Sequence, residues 1–201
     1  MTVPEAKAAL RRSMRARLQR LSAAERAAGA TLTCQRVRAQ DFWKSAKTVL
    51  LFAPLPDEVD VWFLATAALA EGKNVALPRF HALENRYAAA LVTDLERDLV
   101  AGAFGIREPA PGCAEIPLAT IDLALVPGLA FDATGRRLGR GKGFYDRLLS
   151  GFGGIKCGVS LAEQMVAEIP AEEHDVRMGV VITGSKELEE RQLEGIKNPA
   201  F

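Results

Sequence analysis

Residues 121–147 read IDLALVPGLAFDATGRRLGRGKGFYDR. Ile121 to Val126 is an apolar run broken by Pro127-Gly128, the pattern of a short strand buried on both faces. Gly143 to Leu149 reads as a helix closed by Gly151. Between strand and helix lie Gly135, Gly139, Gly141 and Gly143, which let the backbone reach positive φ and approach a ligand closely. A helix start adds free N–H groups and partial positive charge, and Arg136, Arg137, Arg140, Lys142 and Arg147 add side-chain cations. A strand, an anion-binding loop and a helix in that order imply an α/β fold that receives a polyphosphate.

The loop is not a Walker A motif. Gly141-Lys142 is followed by Gly143, and Arg136 stands where the first glycine belongs. A dinucleotide fingerprint fails as well, because Phe144 follows Gly139-x-Gly141-x-x. The plain alternative is a glycine-rich turn with solvated arginines. So many cations packed among glycines directly after a buried strand argue against it.

Outward from this loop, the same alternation continues. Thr48 to Ala53, Asn74 to Pro78, Ile155 to Val159 and Val180 to Thr183 read as further strands, and Arg86 to Val92 as an edge strand. Helices are expected from Val61 to Glu71, stopped by Gly72, and from Leu161 to Glu168. Asp94 to Pro117, broken by glycines and prolines, reads as largely loop. Capping boxes at Thr2–Glu5 and Ser22–Glu25 start two N-terminal helices, the second running to about Arg38. In the first, Leu10, Met14, Leu18 and Leu21 make an apolar stripe and Lys7, Arg11 and Arg15 a basic one. The expected architecture is a single-domain, three-layer α/β sandwich with a mostly parallel, Rossmann-like sheet. Its N-terminal helices span 3–39, its core 47–183 and its polar tail 184–201. Ligands then bind at the carboxyl ends of the strands, near the loops after Ala53, Pro78, Val126 and Val159.

Composition narrows the classes. The 201 residues are 49% hydrophobic, enough for a sizeable core, and a net charge of +1 gives no general attraction to nucleic acid or membrane. Cys34, Cys113 and Cys157 form no paired motif, so neither a disulfide framework nor a structural zinc is expected, and a reducing cytoplasm fits. No apolar run reaches membrane-spanning length. The Arg-rich start lacks the apolar core of a secretory signal and is read as part of the fold.

Pro127-Gly-Leu-Ala-Phe-Asp132-Ala-Thr-Gly-Arg-Arg137-Leu-Gly-Arg-Gly-Lys-Gly-Phe-Tyr145-Asp146 closely resembles the hallmark of the 5-formyltetrahydrofolate cyclo-ligase family, departing only at Phe144, where tyrosine is usual. Lys7-Ala-Ala-Leu-Arg11, Asp57-Glu-Val-Asp60, Gly105-Ile-Arg-Glu-Pro109 and Glu173-His-Asp175 resemble its shorter segments, so the likeness runs from about 7 to 183. The resemblance implies that ATP and magnesium drive closure of 5-formyltetrahydrofolate to 5,10-methenyltetrahydrofolate. ATP would phosphorylate the formyl oxygen, folate N10 would attack the activated carbon, and ADP and phosphate would leave.

The resemblance also distributes roles. Lys7 and Arg11 would contact ATP, the alternative being a solvated basic stripe. The segment Arg137, Leu138, Gly139, Arg140, Gly141, Lys142, Gly143, Phe144 and Tyr145 would form the ATP loop, with Arg137, Lys142 and Tyr145 catalytic. Arg136, Arg140 and Arg147 would add peripheral charge. Glu58 would hold the pterin, with Tyr145 bordering the folate. Asp146 and Asp175 would hold magnesium, the alternatives being a helix-start acid and a turn residue. Asp132 would orient the arginines. His81, His174, Trp43 and Trp62 are read as structural. The expected partners are small molecules alone, and the chain a monomer. Competing readings are a sugar-phosphate isomerase or CoA-transferase-like enzyme, and a non-catalytic nucleotide- or RNA-binding regulator.

Overall fold

The structure, a computed structural model, describes residues 2–102, 105–173 and 175–184. Helices α1 (Val3–Gln19) and α2 (Ala23–Ala39) begin at the two expected capping boxes. Glu5 Oε2 accepts the Thr2 N–H at 2.8 Å, and Glu25 Oε2 accepts the Ser22 N–H at 2.8 Å. Met14 and Leu18 bury the apolar stripe of α1, and Leu10 and Leu21 pack beside them. A short helix absent from the sequence reading, α3 (Asp41–Ser45), follows and buries Trp43, whose indole N–H donates to Glu71 at 3.1 Å.

Strands β1 (Thr48–Leu50), β2 (Asn74–His81), β3 (Arg86–Val92), β6 (Glu115–Ile116), β7 (Leu123–Val126), β10 (Ile155–Ser160) and β11 (Val180–Thr183) form one sheet in the order β11-β10-β7-β1-β2-β3-β6. It is parallel from β11 to β2 and antiparallel across β3 and β6. Alternating residues of β1 and β7 serve opposite faces. Val49, Leu123 and Leu125 join α1, α2 and α4 (Trp62–Ala70), while Leu50, Ala124 and Val126 join α5 (Phe144–Leu148). A strand packed on both faces must be apolar throughout, which is why these runs were legible. The three-layer, mostly parallel α/β architecture is therefore the one expected, and Gly72, with φ 75°, ends α4 as expected.

Local expectations need refinement in two places and correction in two. The segment 94–117 is largely loop, as expected, but it carries three short strands: β4 (Leu99–Ala101) pairs antiparallel with β5 (Arg107–Pro109), and β6 pairs with β3. Because β6 lies outside β3, β3 is not the sheet edge. A further hairpin of β8 (Ala130–Phe131) and β9 (Arg137–Leu138) lies inside the glycine-rich segment. The helix expected over 161–168 is only a 3-10 turn at Ala162–Gln164. Its Gln164 side chain donates to the Gly128 carbonyl at 2.6 Å, and the Val166 N–H donates to Phe131 O at 2.9 Å, so the chain runs extended beside β8 instead of coiling. Among the described residues no helix is long and apolar enough to cross a membrane. The polar tail beyond Gly184 lies outside the described residues.

Candidate active site

The carboxyl ends of β1, β2 and β7 open into a cavity of about 580 Å³. Phe52, Ala53, Pro78, Pro127 and Gly128 border it from the sheet, α1 from one side and the glycine loop from another. This is the position expected of a ligand site in a parallel sheet.

The loop is built on the β8–β9 hairpin. Asp132 is 1% exposed and closes the turn. Its Oδ1 accepts the Thr134 hydroxyl at 2.7 Å and the Thr134 and Arg136 N–H groups at 2.9 and 3.0 Å, and its Oδ2 accepts the Ile169 N–H at 3.0 Å. Burial opposes ionisation, but these hydrogen bonds outweigh it and lower the Asp132 pKa. Asp132 acts on the arginines mainly through the turn that carries them: its four bonds go to the turn and to Ile169, and the Arg136 guanidinium, paired with it at 4.0 Å, is bonded to Glu168 at 2.9 Å.

Arg137 leaves the hairpin pointing into the cavity wall and is 9% exposed. One guanidinium nitrogen donates to Asp146 at 2.9 Å and the other to the Pro127 carbonyl at 3.3 Å. The Tyr145 ring lies 5.6 Å beneath the guanidinium carbon, and the Arg137 Nε is buried without a hydrogen-bond partner among the described residues. Gly141 and Gly143 take φ of 99° and 63°, which turns the chain around this group and starts α5 at Phe144. Tyr145 is half-buried; burial, with the nearby Glu58 charge, raises its hydroxyl pKa, so the phenol stays protonated.

Lys7 is not on a solvated stripe. It is 6% exposed, and its ammonium donates to Asp175 at 2.6 Å and Glu172 at 2.8 Å. Burial pulls its pKa down, yet the bonds to the two acids prevail and raise it. Arg11 donates through Nε to the Gly139 carbonyl at 2.9 Å, tying α1 to the loop, while Arg15 is exposed at the cavity rim. Arg140 is not peripheral: it crosses to the loop after β1 and pairs with Asp57 and with Glu58 at 3.1 Å. Burial raises the pKa of Glu58, against the Leu55 N–H and Arg140, which favour its charged form.

Both residues expected to hold magnesium border the cavity. Asp146 is paired with Arg137, and Asp175 with Lys7 and the Glu172 N–H. Their side chains remain 23% and 21% exposed. Among the described residues no group of three or more His, Cys, Asp and Glu side chains is poised to enclose a metal. The arrangement fits magnesium, which takes one or two carboxylates and completes its shell with water and phosphate oxygens. His81 pairs with Glu115 at 2.7 Å, consistent with a structural role, and His174 lies outside the described residues.

Sequence reasoning missed part of the wall. Tyr87 of β3 and Ile106, Arg107 and Glu108 of the β4–β5 ribbon border the cavity. Phe80, Tyr87 and Phe144 pack as a cluster with centroids 5.0–5.5 Å apart. The Gly105–Pro109 match pointed to the ribbon without assigning it a role, and nothing in the sequence brought Tyr87 to Phe144.

The profile of the 5-formyltetrahydrofolate cyclo-ligase family matches residues 3–184. The mouse 5-formyltetrahydrofolate cyclo-ligase is 32% identical over 198 residues, covering 90% of this chain and 95% of its own. The enzyme of that name from Mycolicibacterium smegmatis is 37% identical over 150 residues, covering 69% and 74%. Among solved structures, 5,10-methenyltetrahydrofolate synthetase from Aquifex aeolicus superposes with a TM-score of 0.80 at 33% identity over 90% of each chain.

Proposed function

Since the chain belongs to the 5-formyltetrahydrofolate cyclo-ligase family, we propose that it converts 5-formyltetrahydrofolate to 5,10-methenyltetrahydrofolate at the expense of ATP, with magnesium. The observation that carries this reading is one cavity joining a cationic glycine loop to the buried carboxylate of Glu58. The loop suits a triphosphate and the carboxylate suits the N–H donors of a pterin.

In this scheme the N–H groups of 139–143, with Lys142 and Arg11, hold the phosphates. The formyl oxygen attacks the γ-phosphorus and ADP departs. N10 then attacks the formyl carbon and loses its proton to solvent, and the carbon–oxygen bond breaks to release phosphate. Arg137 sits where its fork offsets the charge on the transferred phosphoryl group, an effect of positioning rather than covalent help. Tyr145 supports the Arg137 plane and stays a neutral donor beside the folate. Glu58 fixes the pterin. Lys7 holds Asp175 in place and adds positive charge near the phosphates. Asp146 and Asp175 are the residues that would hold magnesium, which neutralises phosphate charge when bound. The chain acts as a single-domain cytoplasmic monomer in this proposal.

The test mixes purified protein, ATP, magnesium and 5-formyltetrahydrofolate and follows the methenyl chromophore in the near ultraviolet. ATP-dependent appearance of the chromophore is expected. Folded protein that forms none while consuming no ATP refutes the proposal.

A further inference from the structure

The cavity is bordered by basic side chains of α1 and of the glycine loop, and by one from elsewhere, Arg107 of β5. Its place is built. The guanidinium lies 5.2 Å from the centre of the Trp62 ring at the start of α4, and it donates to the Leu95 carbonyl. The ribbon beneath it is clipped to β2, where Glu108 Oε2 accepts the Phe80 N–H at 3.2 Å. Trp62 and Leu95 are the ring and hydrogen-bond partners of the exposed Arg107 side chain among the described residues, so it keeps further N–H donors for a ligand.

A phosphate group held by the glycine loop has no need of a cation on the sheet-side ribbon. The folate substrate does carry a second anionic part, the carboxylates of its glutamate tail, at the end remote from the pterin. We infer that Arg107, held against Trp62, is a specificity-determining residue that receives a carboxylate of that tail. This rests on the folate reading above and extends it from the pterin to the far end of the substrate. The planar fork suits a carboxylate, and stacking on Trp62 fixes its plane before the ligand arrives.

Titration calorimetry with three ligands tests this: 5-formyltetrahydrofolate, its triglutamate, and 5-formyltetrahydropteroate, which lacks glutamate. Wild-type protein should bind the glutamylated ligands about tenfold or more tightly than the pteroate, the scale of one charge-assisted contact. Arg107→Gln should lose that preference while binding the pteroate as wild type does, and Arg107→Lys should keep part of it. Equal losses on all three ligands would make Arg107 a structural residue and overturn the inference, as would an undiminished preference in Arg107→Gln. Wild-type protein that binds none of the three fails the folate reading itself, a result distinct from either.

Discussion

Arg137→Ala is the most searching perturbation of the site. The side chain is 5% exposed and is committed to Asp146 at 2.9 Å and to the Pro127 carbonyl at 3.3 Å. In the proposed mechanism, truncation removes the guanidinium opposing charge on the transferred phosphoryl group. Loss of one such donor costs about 100- to 1,000-fold in kcat, or about 2.7–4 kcal/mol. The substitution also leaves Asp146 without its partner. Breaking a fully buried pair costs about 3–5 kcal/mol, but the Asp146 side chain is 23% exposed and can hydrate. A stability loss of about 2 kcal/mol follows, a fall in melting point of about 4–8 °C for a chain of this size. Arg137→Lys keeps the charge but not the fork, so its turnover should lie between the two. Methenyl absorbance gives kcat well below the melting transition, and thermal melts give the stability term. A folded Arg137→Ala enzyme turning over within a few-fold of wild type would refute the assignment, whatever its melting point.

Other expectations are narrower. Arg11→Ala, which loses the bond to the Gly139 carbonyl, should raise the KM for ATP about tenfold with a smaller change in kcat; an unchanged KM removes Arg11 from the nucleotide site. Glu58 has a raised pKa, so pterin binding through its carboxylate should be complete above that value and lost as pH falls through it. Its effect on stability runs the other way, declining as pH rises from the ordinary glutamate value through the raised one. Glu58→Gln should weaken folate binding and flatten this limb of the pH profile, and a limb that persists in the variant assigns it to another group. Asp146→Asn should need more magnesium for half-maximal activity, with partial rescue by excess metal. An unshifted magnesium titration alongside a lowered melting point would reduce Asp146 to the partner of Arg137.

The glycine loop was legible in the sequence because its demands are local. Gly141 and Gly143 are needed where φ is positive, and the cations stand beside them in the chain. The buried strands were legible because both faces of β1 and β7 are covered. What escaped depends on distant partners. Nothing near Leu161 announces that Gln164 will reach the Gly128 carbonyl instead of continuing a helix. Nothing near Arg140 announces Asp57 and Glu58, more than 80 positions away. Lys7 and Arg11 fit a solvated stripe equally well until Asp175 and Gly139 are brought against them. The two-residue strands β8 and β9 carry too little pattern to be read at all.

The Lys7 clamp also bears on how the protein is made. Lys7 meets Glu172 and Asp175 across 165 and 168 positions of chain, and β11 must add to β10 before the sheet is complete on that side. At ordinary rates of synthesis, roughly 10–30 s separates emergence of the first partner from that of the second. Throughout that interval Lys7 lacks the two acids it meets in the folded protein, and for the last part of it the glycine loop has been synthesised while residues 172–175 have not. Ribosome-bound chains halted near Leu149 should therefore not yet retain ATP, while chains carried past Thr183 with a linker to clear the exit tunnel should. Competence would then arrive as a late single event, set by the closing of a long loop rather than by the loop motif itself.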